Sequence, residues 1–204
     1  LSEQDQLDQD NDEKIDEEID EEIALVLTGL RRLRTVIEHT DWFHRLGQPL
    51  GGITTGLAED YVNLLGFPGT WVATVADWEH AAIAAENPDI NSDSWEAEEQ
   101  LRAHLTIEAT MIFGEQELQD ALEAITATAG PIIFDAAANA AAMWGVEDDA
   151  IVEACAGAAL QACYNAALVI AAEEEESHPC ALKFALFEAG HWPIGIAGQS
   201  FNIF

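Results

Sequence analysis

Residues 148–172 read DDAIVEACAGAALQACYNAALVIAA, and the choice of fold turns on this stretch. Alanine loses no side-chain entropy on entering a helix and is the strongest helix former, and no β-branched run argues for sheet. Small residues, Gly157, Ala158 and Ala159 among them, lie nearly all round this helix. Other helices are therefore able to approach it from several sides, which predicts a central position in a bundle. Residues 132–144 are similarly alanine-rich. Between Leu118, Leu122 and Ile125 on one stripe and this second alanine tract stands Gly130-Pro131. That pair predicts a stop and a restart with proline in the first turn.

Further toward the N-terminus, Gly114 closes a helix that sets Leu101, Leu105, Glu108 and Ile112 on one face. Asp93 and Glu96 have the spacing of a loose capping box at its start. Asn87-Pro88-Asp89 breaks the helix expected from Thr70 to Ala85, whose stripe is Trp71, Val75, Trp78 and Ala82. Gly66-Phe67-Pro68-Gly69 ends an earlier helix from Ile53 to Leu65. Before that, Ile15, Ile19, Ile23, Val26, Leu30, Leu33 and Ile37 recur at steps of four and three, marking one face of a long helix.

In the other direction, Pro179 opens a last helix that runs to about Ala189 and ends at Gly190. Ile194 and Ile196, then Phe201 and Ile203, alternate around a glycine-containing turn, which predicts a small β-hairpin at about 192–204. The expected fold is mainly α: a single-domain, multi-helix bundle over residues 15–204 with a small C-terminal β-hairpin. Residues 1–14 are expected to be a solvated, flexible acidic arm.

Charge is the dominant compositional feature. Against 39 Asp and Glu stand 7 Lys and Arg, a formal charge of -32 over 204 residues. Yet 49% of residues are apolar, so the chain has the material for a core and is not a disordered polyanion. Such a field repels nucleic-acid phosphates and anionic lipid, and attracts cations and basic proteins. Carboxylates are densest in residues 1–22 and in Glu173 to Glu176, but the body between is acidic too. Arg31, Arg32 and Arg34 form the one basic cluster, expected to pair internally. Scarce lysine with dispersed carboxylates is the composition of a protein kept soluble in concentrated salt, which screens self-repulsion.

Three cysteines do not make a disulfide framework. Cys155 and Cys163 are eight residues apart on one helix, about 12 Å along its axis, too far to bond. Cys180, two residues after His178 near a helix start, is the one candidate for an activated thiolate, although buried reduced thiols are the plainer expectation. No basic-then-apolar leader opens the chain, and no uninterrupted apolar 18-mer occurs, so the expectation is a cytoplasmic protein without a membrane span.

The most chemical pattern is a pair of related tetrapeptides, Asp41-Trp42-Phe43-His44 and Asp77-Trp78-Glu79-His80. A carboxylate and an imidazole three residues apart lie on neighbouring helix faces and are able to share one metal ion. His104 and Glu108 add a third pair at i and i+4. Asp41, His44, Asp77, His80, His104 and Glu108 are thus the candidate ligands of a divalent metal within a bundle. Local imidazole–carboxylate pairing explains the same spacing without metal. Trp42 and Trp78 read as core or interface aromatics, and Asp135 and Asn139, one turn apart, have no nucleophile beside them. No phosphate-cradling loop, serine elbow or basic stripe is present, and no other cofactor is expected.

Three functions remain as expectations. The first is a non-enzymatic acidic helical protein adapted to high salt or bound to a protein partner, either a basic protein or a second copy. The second is a nucleic-acid mimic that inhibits a basic protein. The third is a metal-dependent helical enzyme built on the Asp/His pairs.

Overall fold

In the computed structural model, residues 23–86 and 92–204 are described; the arm expected at 1–14, the helix start expected from Ile15 and the break expected at 87–89 lie outside them. The described residues form seven helices and three strands, a mainly α fold with a small sheet at the C-terminal end. Helix α1 covers 23–39, α2 Gly52–Leu64, α3 Trp78–Ala85, α4 Ser92–Phe113, α5 Glu115–Met143, α6 Asp149–Ala171 and α7 Pro179–Glu188. Strands β1 (Trp71–Thr74), β2 (Pro193–Ala197) and β3 (Ser200–Ile203) complete it.

The alanine-rich stretch occupies the centre. Cys155, Ala156, Ala159, Cys163, Ala167 and Leu168 of α6 are wholly buried, and α6 packs against α4, α5 and α7. Small side chains set these distances. At Gly29 of α1 an added Cβ would lie 2.7 Å from Cγ2 of Ile170, so α1 and α6 touch almost backbone to side chain. Helix α7 divides two apolar clusters. Phe184 and Phe187 face the main core, while Leu182 and Leu186 meet Tyr61, Val62, Ile196, Phe201 and Ile203 beneath the sheet.

Two expectations are corrected. The segment from Thr70 is not one helix: Trp71–Thr74 is a strand, parallel to β3 with Trp71 opposite Ser200 and Thr74 opposite Ile203. The Trp-Val-Ala-Thr-Val run suits a pleated edge, and the fourth-residue spacing that suggested a helix is coincidental. The hairpin itself forms, β2 pairing antiparallel to β3, and β1 extends it into a sheet of order β1-β3-β2. The second correction concerns Gly130-Pro131, which does not stop the chain: α5 runs unbroken through it. Ile125, Ala129, Ile133 and Ala137 continue one buried face across the proline, and that packing overrides a residue that costs about 3 kcal/mol in a helix interior. Helix α4 is described from Ser92, with Asp93 and Glu96 both in its first turns.

By length and composition α5 and α6 are each apolar enough to cross a membrane, which narrows the reading from the sequence alone. In α6, 61% of the apolar window is buried inside the protein, against 28% in α5.

Candidate functional site

Each of the three expected acid–imidazole pairs is local, and each has a different architecture. Asp77 is the N-cap of α3: its Oδ1 accepts the backbone N–H of His80 at 2.9 Å and lies 2.7 Å from His80 Nδ1. Its carboxyl is held below the usual range, first by that backbone donor and then by the imidazole, and Asp77 in turn raises the pKa of His80. The tetrapeptide spacing is thus that of a cap. At Asp41 it is the backbone carbonyl that takes Nδ1 of His44, at 2.5 Å, while Arg45 Nε donates to His44 Nε2 at 3.1 Å. In α4, Nδ1 of His104 lies 3.1 Å from Oε2 of Glu108, so Glu108 sits at the edge of the apolar stripe beside an imidazole. Among the described residues no three His, Cys, Asp or Glu side chains gather as metal ligands, so the six candidates do not form one centre.

His178, which the sequence set beside Cys180, belongs instead with the third pair. Its Nδ1 accepts the backbone N–H of Cys180 at 3.1 Å as the N-cap of α7, so this nitrogen is unprotonated. Burial lowers its pKa, opposed by Glu174 and Glu108, with His104 adding to the depression. Cys180 is correspondingly not a nucleophile: it is buried, and burial together with Glu98 pushes its thiol up to about 12. Cys155 and Cys163 are buried free thiols too, both raised by desolvation.

Two further constellations were not evident from the sequence. Glu98 of α4 accepts the Tyr61 hydroxyl from α2, and both its oxygens lie 2.7 Å from Nζ of Lys183 on α7. The lysine also stands 5.9 Å from the Tyr61 ring centroid. With burial and Glu98 raising the Tyr61 pKa, the phenol stays protonated and the Glu98 carboxylate is shared between it and the lysine: a three-helix clamp. Only the rarity of lysine marked Lys183; its partner is 85 residues away.

The second is His191, which is 0% exposed with neither ring nitrogen hydrogen-bonded. It follows Gly190, whose positive φ of 89° and missing Cβ admit the ring of His44; an added Cβ would lie 2.3 Å from His44 Nδ1. The Arg45 N–H donates to Gly190 O at 3.0 Å. Phe43 holds a positive φ of 62°, a strained conformation for a bulky residue, and seats its ring against Trp42 and Phe187. Burial, then Arg45 and His44, lower the pKa of His191, and the Phe204 backbone beside it opposes them more weakly.

Of the described carboxylates, only Asp77, Glu98, Glu99 and Glu108 are part-buried, and each faces His80, Lys183, Arg102 or His104 respectively. Every other described carboxylate is exposed. Fold and site together define a class: a mainly α bundle with a small mixed sheet and an acidic exterior. Compared with known protein families, curated proteins and solved structures, the chain matches none.

Proposed function

We propose that this is a non-catalytic helical protein whose acidic exterior adapts it to concentrated salt. The observation that carries this reading is the division of carboxylates. Those that lose water have a cation or imidazole beside them, and the rest are spread over the helices and loops facing solvent. Among the described residues, ion pairs to Lys or Arg include Arg34–Glu38, Arg102–Glu99 and Lys183–Glu98. Exposed like charges repel across a Debye length of about 10 Å at 0.1 M salt and about 3 Å at 1 M. The compact state is then stabilised by the solvent's own ions. Buried free thiols agree with a reducing compartment such as the cytoplasm.

A KCl titration followed by circular dichroism tests the reading. Relief of several kcal/mol of repulsion corresponds to a rise of about 10 °C or more in Tm between millimolar and molar KCl. A midpoint indifferent to KCl overturns it and leaves the charge to be explained by a basic partner.

A further inference from the structure

Helix α5 keeps an apolar face that the core does not use, and we propose that this face is a homodimer interface. In it α5 pairs antiparallel with α5 of a second copy, about a two-fold axis level with Ala137. Both α5 and α6 contain a long apolar window, yet 61% of that window is buried in α6 and 28% in α5. Packing in the core therefore accounts for the composition of α6 and leaves most of that of α5 in solvent. Helix α4 borders α5 at Leu118, Leu122 and Thr126, and α1 borders it at Ala121, Ala124 and Ile125, all in its first half. Ile125, Ala129, Ile133, Ala137 and Ala140 form its buried face. Roughly opposite lie Ala127, Pro131, Phe134, Ala138 and Ala142, all exposed. At about 100° per residue these five fall within an arc of about 80°.

Charge decides what covers this stripe. Between Glu123 and Glu147 the sequence carries one charged side chain, Asp135, in a chain where 23% of residues are charged. Two copies of a protein at -32 meet most readily where carboxylates are missing, and this exposed face meets that condition over about five helical turns. The same field turns an anionic lipid surface away.

The stripe is also complementary to itself when reversed. With the axis level with Ala137, Phe134, 41% exposed, falls between Ala138 and Ala142 of the second copy, a large knob over a hole left by two methyl groups. Symmetry repeats the contact, as an isologous interface requires. On one flank of the stripe the exposed Asp135 comes level with Asn139 of the second copy, so that the amide donates to the carboxylate, again twice. Parallel pairing instead sets Phe134 on Phe134 and Asp135 on Asp135. The exposed Glu123 and Glu147 close the stripe at its two ends, and their repulsion across the interface weakens as salt rises.

The dimer stands or falls separately from the solvent reading, because it is read from association and not from Tm. Sedimentation of the full chain is expected to show a concentration-dependent dimer in molar KCl that weakens in millimolar KCl. Phe134→Glu should weaken association roughly tenfold or more, with circular dichroism unchanged because the side chain is exposed. Ile107→Glu, which adds the same charge at an exposed apolar position on α4, should leave it unchanged. In a second measurement, Pro131→Cys mixed with Ala142→Cys should form a disulfide-linked heterodimer under mild oxidation. Neither variant alone should do so, because like positions lie about 15–18 Å apart along the axis. A monomer at every concentration and KCl level overturns the proposal, and so does a dimer that loosens as KCl rises. Equal effects of the two glutamate substitutions, or cross-linking of each cysteine variant with itself, would do the same. Flotation of a monomer with phosphatidylcholine vesicles, abolished by Phe134→Glu, would assign the stripe to a membrane surface instead.

Discussion

A buried histidine with two unpartnered nitrogens is a proton acceptor waiting for unfolding. His191 is neutral in the fold because its charged form would lose water and face Arg45 and His44. The unfolded chain binds a proton at about pH 6.5 and the folded chain only below that. Its contribution to stability is therefore complete above that pH and is lost as pH falls through the interval down to the lowered folded value. His178, also lowered by burial, acts with the same sign, and protonating its Nδ1 would cost α7 its cap. His80 has the opposite sign, its raised pKa adding stability that disappears as pH rises, but it is exposed and the effect is screened. Replacing His191 by leucine, similar in volume, should change stability at about pH 8 by less than about 1.5 kcal/mol. The loss between about pH 7 and pH 5.5 should become shallower, leaving the His178 part. Urea unfolding of both proteins at a series of pH values measures this; parallel pH profiles would refute it.

At the scale of elements, α5 and α6 show how far packing outweighs local preference. Pro131 is exposed and lacks the N–H that the helix would use, so Pro131→Ala should raise unfolding free energy by about 1–3 kcal/mol. Two glycines make the contrasting test. Gly157→Ala meets nothing within 4 Å and should gain up to about 1 kcal/mol. Gly29→Ala drives a methyl against Ile170 and should cost about 1–3 kcal/mol through overpacking. Denaturant midpoints of the three variants give the signs, and a destabilised Gly157→Ala or a stabilised Gly29→Ala would refute the account. These elements also mark what sequence makes legible. Helices α2, α6 and α7 and the hairpin follow from propensity, glycine stops and alternation, all of them local signals. Strand β1 did not, because its four residues become a strand only through β3, over a hundred positions later. Nor did the continuity of α5, which depends on the face it buries on α6. The acid–imidazole pairs were legible as neighbours, but the difference between a cap and a ligand set lies in how other elements approach. Glu98–Lys183 and His191 have no local signal beyond a rare lysine and a histidine among apolar residues.

For the whole molecule, the two titrations compete, and salt decides which is visible. Acidification first protonates the unfolded form of His191 and His178 preferentially, lowering stability toward about pH 6. Self-repulsion within the compact chain follows its net charge, and it weakens as acidification makes that charge less negative. Asp77, held low chiefly by the His80 backbone donor, and Glu99, held low by its hydrogen bond from Arg102, keep their charges longest. Their stabilisation is present above the unfolded pKa and is lost only at lower pH, as it falls through their depressed folded values. In millimolar salt, the relief of self-repulsion should therefore offset the histidine loss, so that stability recovers as pH falls toward about pH 5, where most proteins already weaken. In molar KCl the repulsion is already screened, so the recovery should vanish while the histidine loss persists. Urea midpoints at about pH 8, 6 and 5 in both solvents separate the two effects. Recovery of equal size in both would mean that it arises from specific buried groups, and the acidic exterior would then have no part in the balance between folded and unfolded chain.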